Sequence, residues 1–194
     1  MDQYGLGFTP GFVGYNRDAK FTLQCFSKSN PGPHAAQIGK RRRTLEGNKI
    51  CLPPEVLAQL QIRFRHRMPS PMFFKITNHR YNKSSHCGLI DFDAPRNSSI
   101  LSDGFFEDMM LLPGQTASFA LRELPKLTYV KFQPFRWQFA RIRDPKAVLT
   151  RELQDHYVAL SEGDVVTIED NESKKFRLTC VEVKSSHRKQ DVKE

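Results

Sequence analysis

The chain has few of the residues that build catalytic and metal sites. Its 194 residues include four cysteines and six histidines, and they form no C-x-x-C, H-x-x-x-H or H-E-x-x-H pattern. The ligand spacing of a zinc site is therefore missing. Nucleophile-elbow and phosphate-loop motifs are missing as well. We predict no catalytic residue, no cofactor and no metal, and expect a binding protein rather than an enzyme.

Long apolar runs are missing too. No run approaches the ~20 apolar residues that a membrane-spanning helix needs. The segment Met1–Gly5 has neither the basic region nor the apolar core of a secretory signal. Four cysteines without paired spacing fit a reducing compartment. We expect a cytoplasmic protein, with the nucleus as a second location, that does not insert into membranes.

Positive charge is in excess, and much of the net charge of +9 is local. A run of four cations and an alternating set of three arginines define a candidate basic patch. The patch comprises Lys40, Arg41, Arg42, Arg43, Arg63, Arg65 and Arg67. Such a patch binds nucleic acid or another anionic partner, or it is a solvated surface. We favour the solvated surface, because most charge runs are surface features, and keep the anionic partner as the alternative.

Two apolar runs, Pro71–Thr77 and Cys87–Phe92, predict a β-hairpin. The polar segment Asn78–His86 between them is predicted as its turn. The adjacent His86 and Cys87 could suggest a base and a nucleophile, but neighbours along a strand face opposite ways. We therefore interpret Cys87 as a structural residue of the strand.

A short strand followed by a short helix occurs twice in the chain. Lys49–Leu52 precedes a helix that Pro53 and Pro54 open, and Ile100–Leu101 precedes a helix that Ser102 caps. The apolar residues of both helices have the same spacing from their strands, and a strand follows each helix. This pattern predicts an internal duplication. The apolar face of the second helix comprises Phe105, Phe106, Met109 and Met110.

The last part of the chain predicts a smaller mixed unit. Its predicted elements are a strand at Leu127–Phe132, a helix from the N-cap Asp144 to about Tyr157, and a hairpin of Val165–Ile168 with Phe176–Val183. A connector before the helix carries three alternating aromatic residues, Phe135, Trp137 and Phe139. We interpret this row as core or inter-domain packing, with a binding platform as the alternative.

Seven short motifs occur in the order found in one protein family. They are Cys25–Ser27, Leu52–Pro54, Pro71–Asn78, His86–Gly88, Lys131–Pro134, Asp144–Leu149 and Gly163–Val165. Together they resemble the amino-terminal domain of the ubiquitin fusion degradation protein 1 family, over roughly residues 21–184. The resemblance implies a mixed α/β, mainly β, fold in which a double-psi β-barrel is followed by a smaller α/β-roll subdomain. The duplication fits, since a double-psi barrel has two interlocked similar halves.

The resemblance also sets the expected domain boundaries. We assign residues 1–19 to an irregular amino-terminal segment, 20–134 to the barrel, 135–184 to the α/β subdomain and 185–194 to a charged tail that we expect to be disordered. The chain departs from the family at the basic insert Lys40–Arg43. It also departs at Ser185–Lys189, where the family continues with an apolar strand.

The function that the resemblance implies is not enzymatic. Members of the family bind ubiquitin and polyubiquitin and, with the nuclear protein localisation 4 partner, deliver conjugates to the valosin-containing AAA unfoldase. The conjugates then enter proteasomal or ER-associated degradation. The family's longer carboxy-terminal region carries a Phe-x-Gly-x-Gly-type box that binds the unfoldase; no such box occurs in the 194 residues, and we expect the chain to lack that region. A shortened paralogue that recognises ubiquitin without recruiting the unfoldase is therefore an alternative.

The surface that would recognise ubiquitin can be described by its chemistry. Ubiquitin presents a small apolar patch ringed by basic residues, so a complementary surface should be apolar with some acids. The candidate partner-binding residues are Phe135, Trp137, Glu162 and Asp164. A scaffold that binds the unfoldase through its barrel is a further alternative.

Overall fold

The computed structural model describes residues 19–33, 45–65 and 67–186. In chain order the elements are β1 Lys20–Ser27, β2 Lys49–Cys51, α1 Pro54–Phe64, β3 Phe73–Asn78, β4 Lys83–Asp91, β5 Ser98–Leu101, α2 Asp103–Asp108, β6 Thr116–Arg122, β7 Leu127–Pro134, a 3-10 helix Trp137–Arg141, α3 Pro145–His156, β8 Val165–Glu169 and β9 Lys175–Ser185. No helix in these segments is long and apolar enough to cross a bilayer.

Six strands close into a barrel in the order β1-β5-β2-β4-β3-β6. The pairs β1–β5 and β2–β4 are parallel, and the other neighbouring pairs are antiparallel. Exchanging β1 with β4, β2 with β5 and β3 with β6 leaves this pairing unchanged. The barrel therefore consists of two interlocked halves of the same design, β1-β2-α1-β3 and β4-β5-α2-β6. This is the double-psi architecture, and it confirms the predicted duplication.

The barrel core is formed by alternate residues of the strands and by one face of each helix. Phe74 on β3 and Phe119 on β6 are fully buried, as is Cys25 on β1. Helix α1 contributes Val56 and Leu60, and α2 contributes two phenylalanines to the same cluster. Each large apolar side chain removed from water in this way contributes roughly 1.5–3 kcal/mol.

The predicted hairpin forms, but its turn is shorter than the sequence suggested. Strand β4 begins at Lys83, so the turn covers only residues 79–82, with Asn82 at a positive φ of 49°. The polar residues that follow Lys83 pair with β3, and Ser85 is buried. The prediction of a turn over Asn78–His86 was wrong because cross-strand pairing outweighs the weak strand preference of these side chains.

Asn78 at the end of β3 is buried and joins the hairpin to the end of α2. Its side-chain amide donates to the backbone carbonyls of Met109, at 2.9 Å, and Met110, at 3.0 Å. Its oxygen accepts from Gln115 Nε2 at 2.7 Å. Met110, predicted on the apolar face of the second helix, lies beyond the end of α2 at φ 52° and is 53% exposed.

A second subdomain follows the barrel. Its three strands lie in the order β7-β9-β8, and α3 packs on one face, where Val148 contacts a core that includes Val166, Ile168 and Leu178. Glu152 of α3 and Tyr157, just beyond the helix, cover the free edge of β8. The Thr167 N–H donates to the Tyr157 hydroxyl at 2.7 Å. A sheet edge covered in this way does not recruit another strand.

The boundary between the subdomains differs from the predicted one at residue 134. Strand β7, assigned from the sequence to the barrel unit, pairs with β9 in the second sheet. The change of sheet therefore falls between Arg122 and Leu127. Strand β9 continues to Ser185, two residues beyond its predicted end. The predicted amino-terminal segment up to residue 18 and the predicted tail from residue 187 lie outside the described residues.

Candidate protein-binding surfaces

Polar side chains fix the second subdomain against the barrel. The Asn48 amide, at the start of β2, donates to the carbonyls of His86, at 3.0 Å, and Ala159, at 2.6 Å. Its oxygen accepts from the Val158 N–H at 3.0 Å. Lys49 Nζ donates to the Asp155 carbonyl at 2.6 Å. One buried asparagine therefore ties the barrel to the segment that follows α3.

Two glycines allow this close approach. Gly47 has φ +58°, and a β-carbon there would overlap the carbonyl of His156. A β-carbon at Gly88, on the outer face of β4, would overlap the side chain of Val158. Gly47 therefore requires glycine because backbone of the second subdomain lies directly against it, and Gly88 leaves the space that the Val158 side chain occupies.

Partly buried ionisable groups occupy the same interface. Asp164 accepts from the Ser161 N–H at 2.7 Å, and burial raises the pKa of its carboxyl to about 6. Burial likewise raises the pKa of Asp108 to about 6, although Arg177 lies 3.0 Å away. Burial lowers the pKa of His86, and Lys75 and Arg122 lower it further. Asp164, a candidate for an exposed partner-binding acid, thus lies between the subdomains.

The cysteines do not form a reactive site. All four are free and buried. Burial raises the pKa of Cys87, and its thiol donates to the Phe74 carbonyl at 3.4 Å. His86 faces the other way, with Nδ1 2.8 Å from the Ser161 hydroxyl. Among the described residues, no group of three or more His, Cys, Asp and Glu side chains could hold a metal ion.

The other three candidate residues are exposed but lie at opposite ends of β9. The Phe135 N–H donates to the Arg177 carbonyl, whereas the Glu162 carboxylate accepts from the Val183 N–H at 3.3 Å. These positions on β9 are separated by about 20 Å, given roughly 3.3 Å per residue. The structure therefore does not bring the predicted residues together; it divides them between two surfaces.

The first surface, which we call the acidic end, surrounds the bulge of β9. It comprises Leu127, Tyr129, Val181, Glu162 and Glu182. The three apolar residues are each at least 39% exposed. Lys184 lies over the Tyr129 ring at 5.0 Å and pairs with Glu182 at 3.2 Å, so this cation is already engaged. The exposed Lys131 on β7 lies opposite Glu182, so the acidic end combines exposed apolar area with two carboxylates and a second cation.

The second surface, which we call the aromatic–basic end, surrounds Phe135 and Trp137, which are 59% and 64% exposed. The backbone of Arg136 between them is extended, so both rings project to the same side. Arg141 lies over the Trp137 ring at 4.4 Å, and Arg177 over the Phe135 ring at 5.4 Å. Cation–π contacts of this kind hold exposed rings in place.

Of the three aromatic residues interpreted from the sequence as core or inter-domain packing, only Phe139 lies in the core. Phe139 packs edge-on against Phe176, with ring centroids 5.9 Å apart, in the core of the second subdomain. Phe135 and Trp137 remain on the surface. The 3-10 helix explains the difference, because it changes the direction of the chain after Trp137.

The candidate basic patch is described only in part. Arg63, Arg65 and Arg67 are exposed at the carboxyl end of α1, where Arg65 has a positive φ of 48°. Lys40–Arg43 lie outside the described residues. Whether the two arginine-rich segments share one surface therefore stays a prediction.

Sequence reasoning missed Asn48 and the residues of the acidic end other than Glu162. Asn48 follows Gly47, a pair typical of a turn, and nothing in its neighbours indicates burial. Tyr129 and Glu182 alternate with core residues in their strands. Because successive side chains of a strand face opposite ways, this alternation could have predicted that both lie on an exposed face. Their association depends on the pairing of β7 with β9, which only the tertiary structure shows.

The fold and its subdomain interface define the class of double-psi barrel domains that carry an α/β subdomain. Residues 22–125 match the family model described as ubiquitin fusion degradation protein UFD1, N-terminal subdomain 1, and residues 126–189 match that of N-terminal subdomain 2. The chain belongs to the ubiquitin fusion degradation protein UFD1 family, as the motif resemblance predicted.

Similar proteins share much of the chain. The protein named ubiquitin recognition factor in ER-associated degradation protein 1 is 35% identical over 168 residues in Homo sapiens and in Mus musculus, covering 85% of this chain. Ubiquitin fusion degradation protein 1 of Saccharomyces cerevisiae is 32% identical over 139 residues, or 71% of this chain. The chain spans 52% of the mammalian proteins and 37% of the yeast protein.

Proposed function

We propose that this chain is a non-enzymatic ubiquitin-binding adaptor module. It acts in the cytoplasm or nucleus, in the pathway of the valosin-containing AAA unfoldase, and helps to deliver ubiquitinated substrates for proteasomal or ER-associated degradation. Membership of the UFD1 family supports this proposal, as do relatives named as ubiquitin recognition factors.

The acidic end is the observation that carries the proposal. Ubiquitin's apolar patch is ringed by basic residues, so its partner needs exposed apolar area next to carboxylates. Val181 and Tyr129 supply the apolar area, while Glu162 and Glu182 supply carboxylates, of which Glu182 is shared with Lys184. The aromatic–basic end fits less well, because Arg141 and Arg177 would face ubiquitin's own cations.

Substitution of Val181 tests the surface. Val181→Lys places a cation at the centre of the acidic end, and we expect it to weaken ubiquitin binding about tenfold, since one poorly matched charge costs on the order of 1.4 kcal/mol. The measurement is a titration of isotope-labelled mono- and polyubiquitin followed by chemical shifts.

The matched control is Ile62→Lys, which adds the same charge at an aliphatic residue of α1 that is 78% exposed. It should leave binding unchanged. No shift change in ubiquitin with the unsubstituted chain would disprove ubiquitin binding. Equal affinity of the Val181→Lys and Ile62→Lys variants would instead disprove this choice of surface.

Recruitment of the unfoldase and of the nuclear protein localisation 4 homologue belongs to the same proposal. A pull-down with the unfoldase alone, then with the partner added, separates direct binding through this chain from binding that needs the partner. Retention of the unfoldase in neither case would restrict the chain to ubiquitin recognition without recruitment.

An anionic partner for the basic patch is the second candidate function. The exposure of Arg63, Arg65 and Arg67 at the end of α1 favours it. Binding to a nucleic acid through this patch should weaken steeply with salt, because each neutralised phosphate adds to the slope. Replacing Arg41, Arg42 and Arg43 by alanine should reduce that slope, and an unchanged slope would exclude the patch.

A further inference from the structure

A groove of about 1180 Å³ crosses the second subdomain beside the aromatic–basic end. One wall is formed by the 3-10 helix and the first turn of α3, and the other by the turn between β8 and β9 and the start of β9. Its lining residues include the cations Arg136, Arg141, Arg143 and Lys175 and the apolar residues Ile142, Ala147, Val148 and Phe176.

The carboxylates that line the groove are already engaged by the protein. Asp144 caps α3 by accepting from the Ala147 N–H at 3.0 Å. Asp170 accepts from the N–H groups of Glu172, at 2.8 Å, and Lys174, at 2.9 Å, and Glu172 pairs with Lys174 at 2.6 Å. These acids stabilise the walls, so little of their hydrogen-bonding capacity faces a ligand.

The cations of the groove, unlike its carboxylates, are mostly not engaged by the parts of the protein that the structure describes. Among the described residues, no carboxylate forms an ion pair with Arg136, Arg143 or Lys175. Arg141 lines the groove while its guanidinium stacks on Trp137, which links the groove to the aromatic–basic end. The groove therefore presents available positive charge beside an exposed aromatic ring.

The apolar lining decides between classes of anion. Ile142 and Phe176 are partly buried at the edge of the second subdomain's core, and they form apolar lining beneath the cationic rim. A phosphate backbone would leave this apolar surface uncovered. A peptide with both carboxylates and aliphatic side chains can pair with the cations of the rim and also cover the apolar lining.

We propose that this groove binds an acidic peptide segment of a partner protein that carries large apolar side chains. Its carboxylates pair with Arg136, Arg143 and Lys175, and an apolar side chain contacts Ile142 and Phe176. The site lies at the opposite end of β9 from the acidic end. It would thus be a second binding site, independent of ubiquitin recognition.

The single tryptophan of the chain, Trp137, reports on this groove through Arg141, which lines the groove and lies over the Trp137 ring at 4.4 Å. The experiment titrates the whole chain with a short peptide of alternating aspartate and leucine and follows the tryptophan emission. We expect a saturable change. A matched peptide of aspartate and serine should bind more weakly because it lacks apolar side chains, and one of lysine and leucine should not bind.

A pair of double variants localises the effect. Arg136→Gln with Arg143→Gln should raise the Kd of the aspartate–leucine peptide roughly tenfold, since a contact to a charged group contributes on the order of a factor of ten in affinity. Lys126→Gln with Lys131→Gln removes the same net charge outside the groove and should leave the Kd unchanged. Circular dichroism checks that both variants fold.

Three outcomes would overturn the proposal. One is the absence of any saturable emission change with the aspartate–leucine peptide. Another is an equal Kd for the two double variants, which would indicate a general charge effect. The third is tighter binding of an oligothymidylate than of the peptide, lost in the groove variant, which would assign the groove to nucleic acid. Ubiquitin titrations decide none of these, so the two proposals fail separately.

Discussion

Phe74 and Asn78, four residues apart on β3, show how single side chains hold the barrel together. Phe74 is fully buried in the apolar cluster. Asn78 is equally buried, but its amide donates hydrogen bonds to backbone carbonyls at the end of α2 and its oxygen accepts one from Gln115. A buried amide is tolerated only when its hydrogen bonds are made. Apolar packing and buried hydrogen bonds therefore both stabilise β3.

Truncation of Phe74 tests the packing. Phe74→Ala should lower the free energy of unfolding by ~3–5 kcal/mol, because it removes the transfer energy of the ring and leaves a cavity. Urea unfolding measures the change. Met110→Ala, at an exposed position, should cost less than about 0.5 kcal/mol. A Phe74→Ala protein as stable as the control would mean that the ring is not in the core.

Helix α3 shows at the level of the element how local signals and tertiary contacts combine. Asp144 caps its first turn and Pro145 occupies the first helical position, as the sequence predicted. Along the same helix, Glu152 accepts from the Glu169 N–H at 3.1 Å, and Tyr157 just beyond it bonds Thr167. The helix thus covers the core and closes the edge of β8.

Loss of the cap should destabilise this element. Asp144→Ala should lower the free energy of unfolding by about 1 kcal/mol, because the Ala147 N–H loses its acceptor. Asp155→Ala is the control: that carboxylate lies exposed in the last turn, where negative charge is unfavourable next to the helix dipole. Thermal unfolding compares the two, and equal stability of both variants would show that the cap contributes nothing.

At the level of the whole molecule, the interface between the subdomains encloses charge. Asp164 and Asp108 have raised pKa values because they are partly buried there and lose solvation. A carboxyl with a raised pKa in the folded state binds more protons than in the unfolded state. Folding is therefore favoured at low pH by this group, and its contribution is lost as the pH rises from about 4 to about 6.

The variant Asp164→Asn removes this dependence. The difference in free energy of unfolding between the variant and the unsubstituted protein should increase by up to about 3 kcal/mol in favour of the variant as the pH rises from about 4 to above 6. Above that pH the difference should stay constant. Denaturation at a series of pH values measures the difference. The pKa of His86 is lowered, so its contribution depends on pH in the opposite sense, and the difference between the two proteins removes it. A difference independent of pH would contradict the buried assignment.

Much of the architecture could be predicted from local chemistry. Several signals act between residues close in the chain and can be read from it directly. They are the alternation in β1 and β6, the proline at the start of α1, and the caps Ser102 and Asp144. The turn of the hairpin could not be predicted in the same way, because its polar residues become strand only by pairing with β3.

The candidate sites depended more strongly on the fold. Phe135, Trp137, Glu162 and Asp164 carry suitable chemistry, but their separation along β9 and the burial of Asp164 follow from register and subdomain contact. Tyr129 was assigned to the barrel because a strand pattern does not say which sheet the strand joins.

The sequence by itself determined the elements, the duplication and, through seven motifs, the family, because these reside in spacing and in short-range hydrogen bonding. Only the tertiary structure decided which strands share a sheet and which exposed side chains share a surface. Non-local pairing places residues distant in the chain side by side, as with Glu162 and Val183. Binding surfaces are made of such neighbours, and no local pattern contains them.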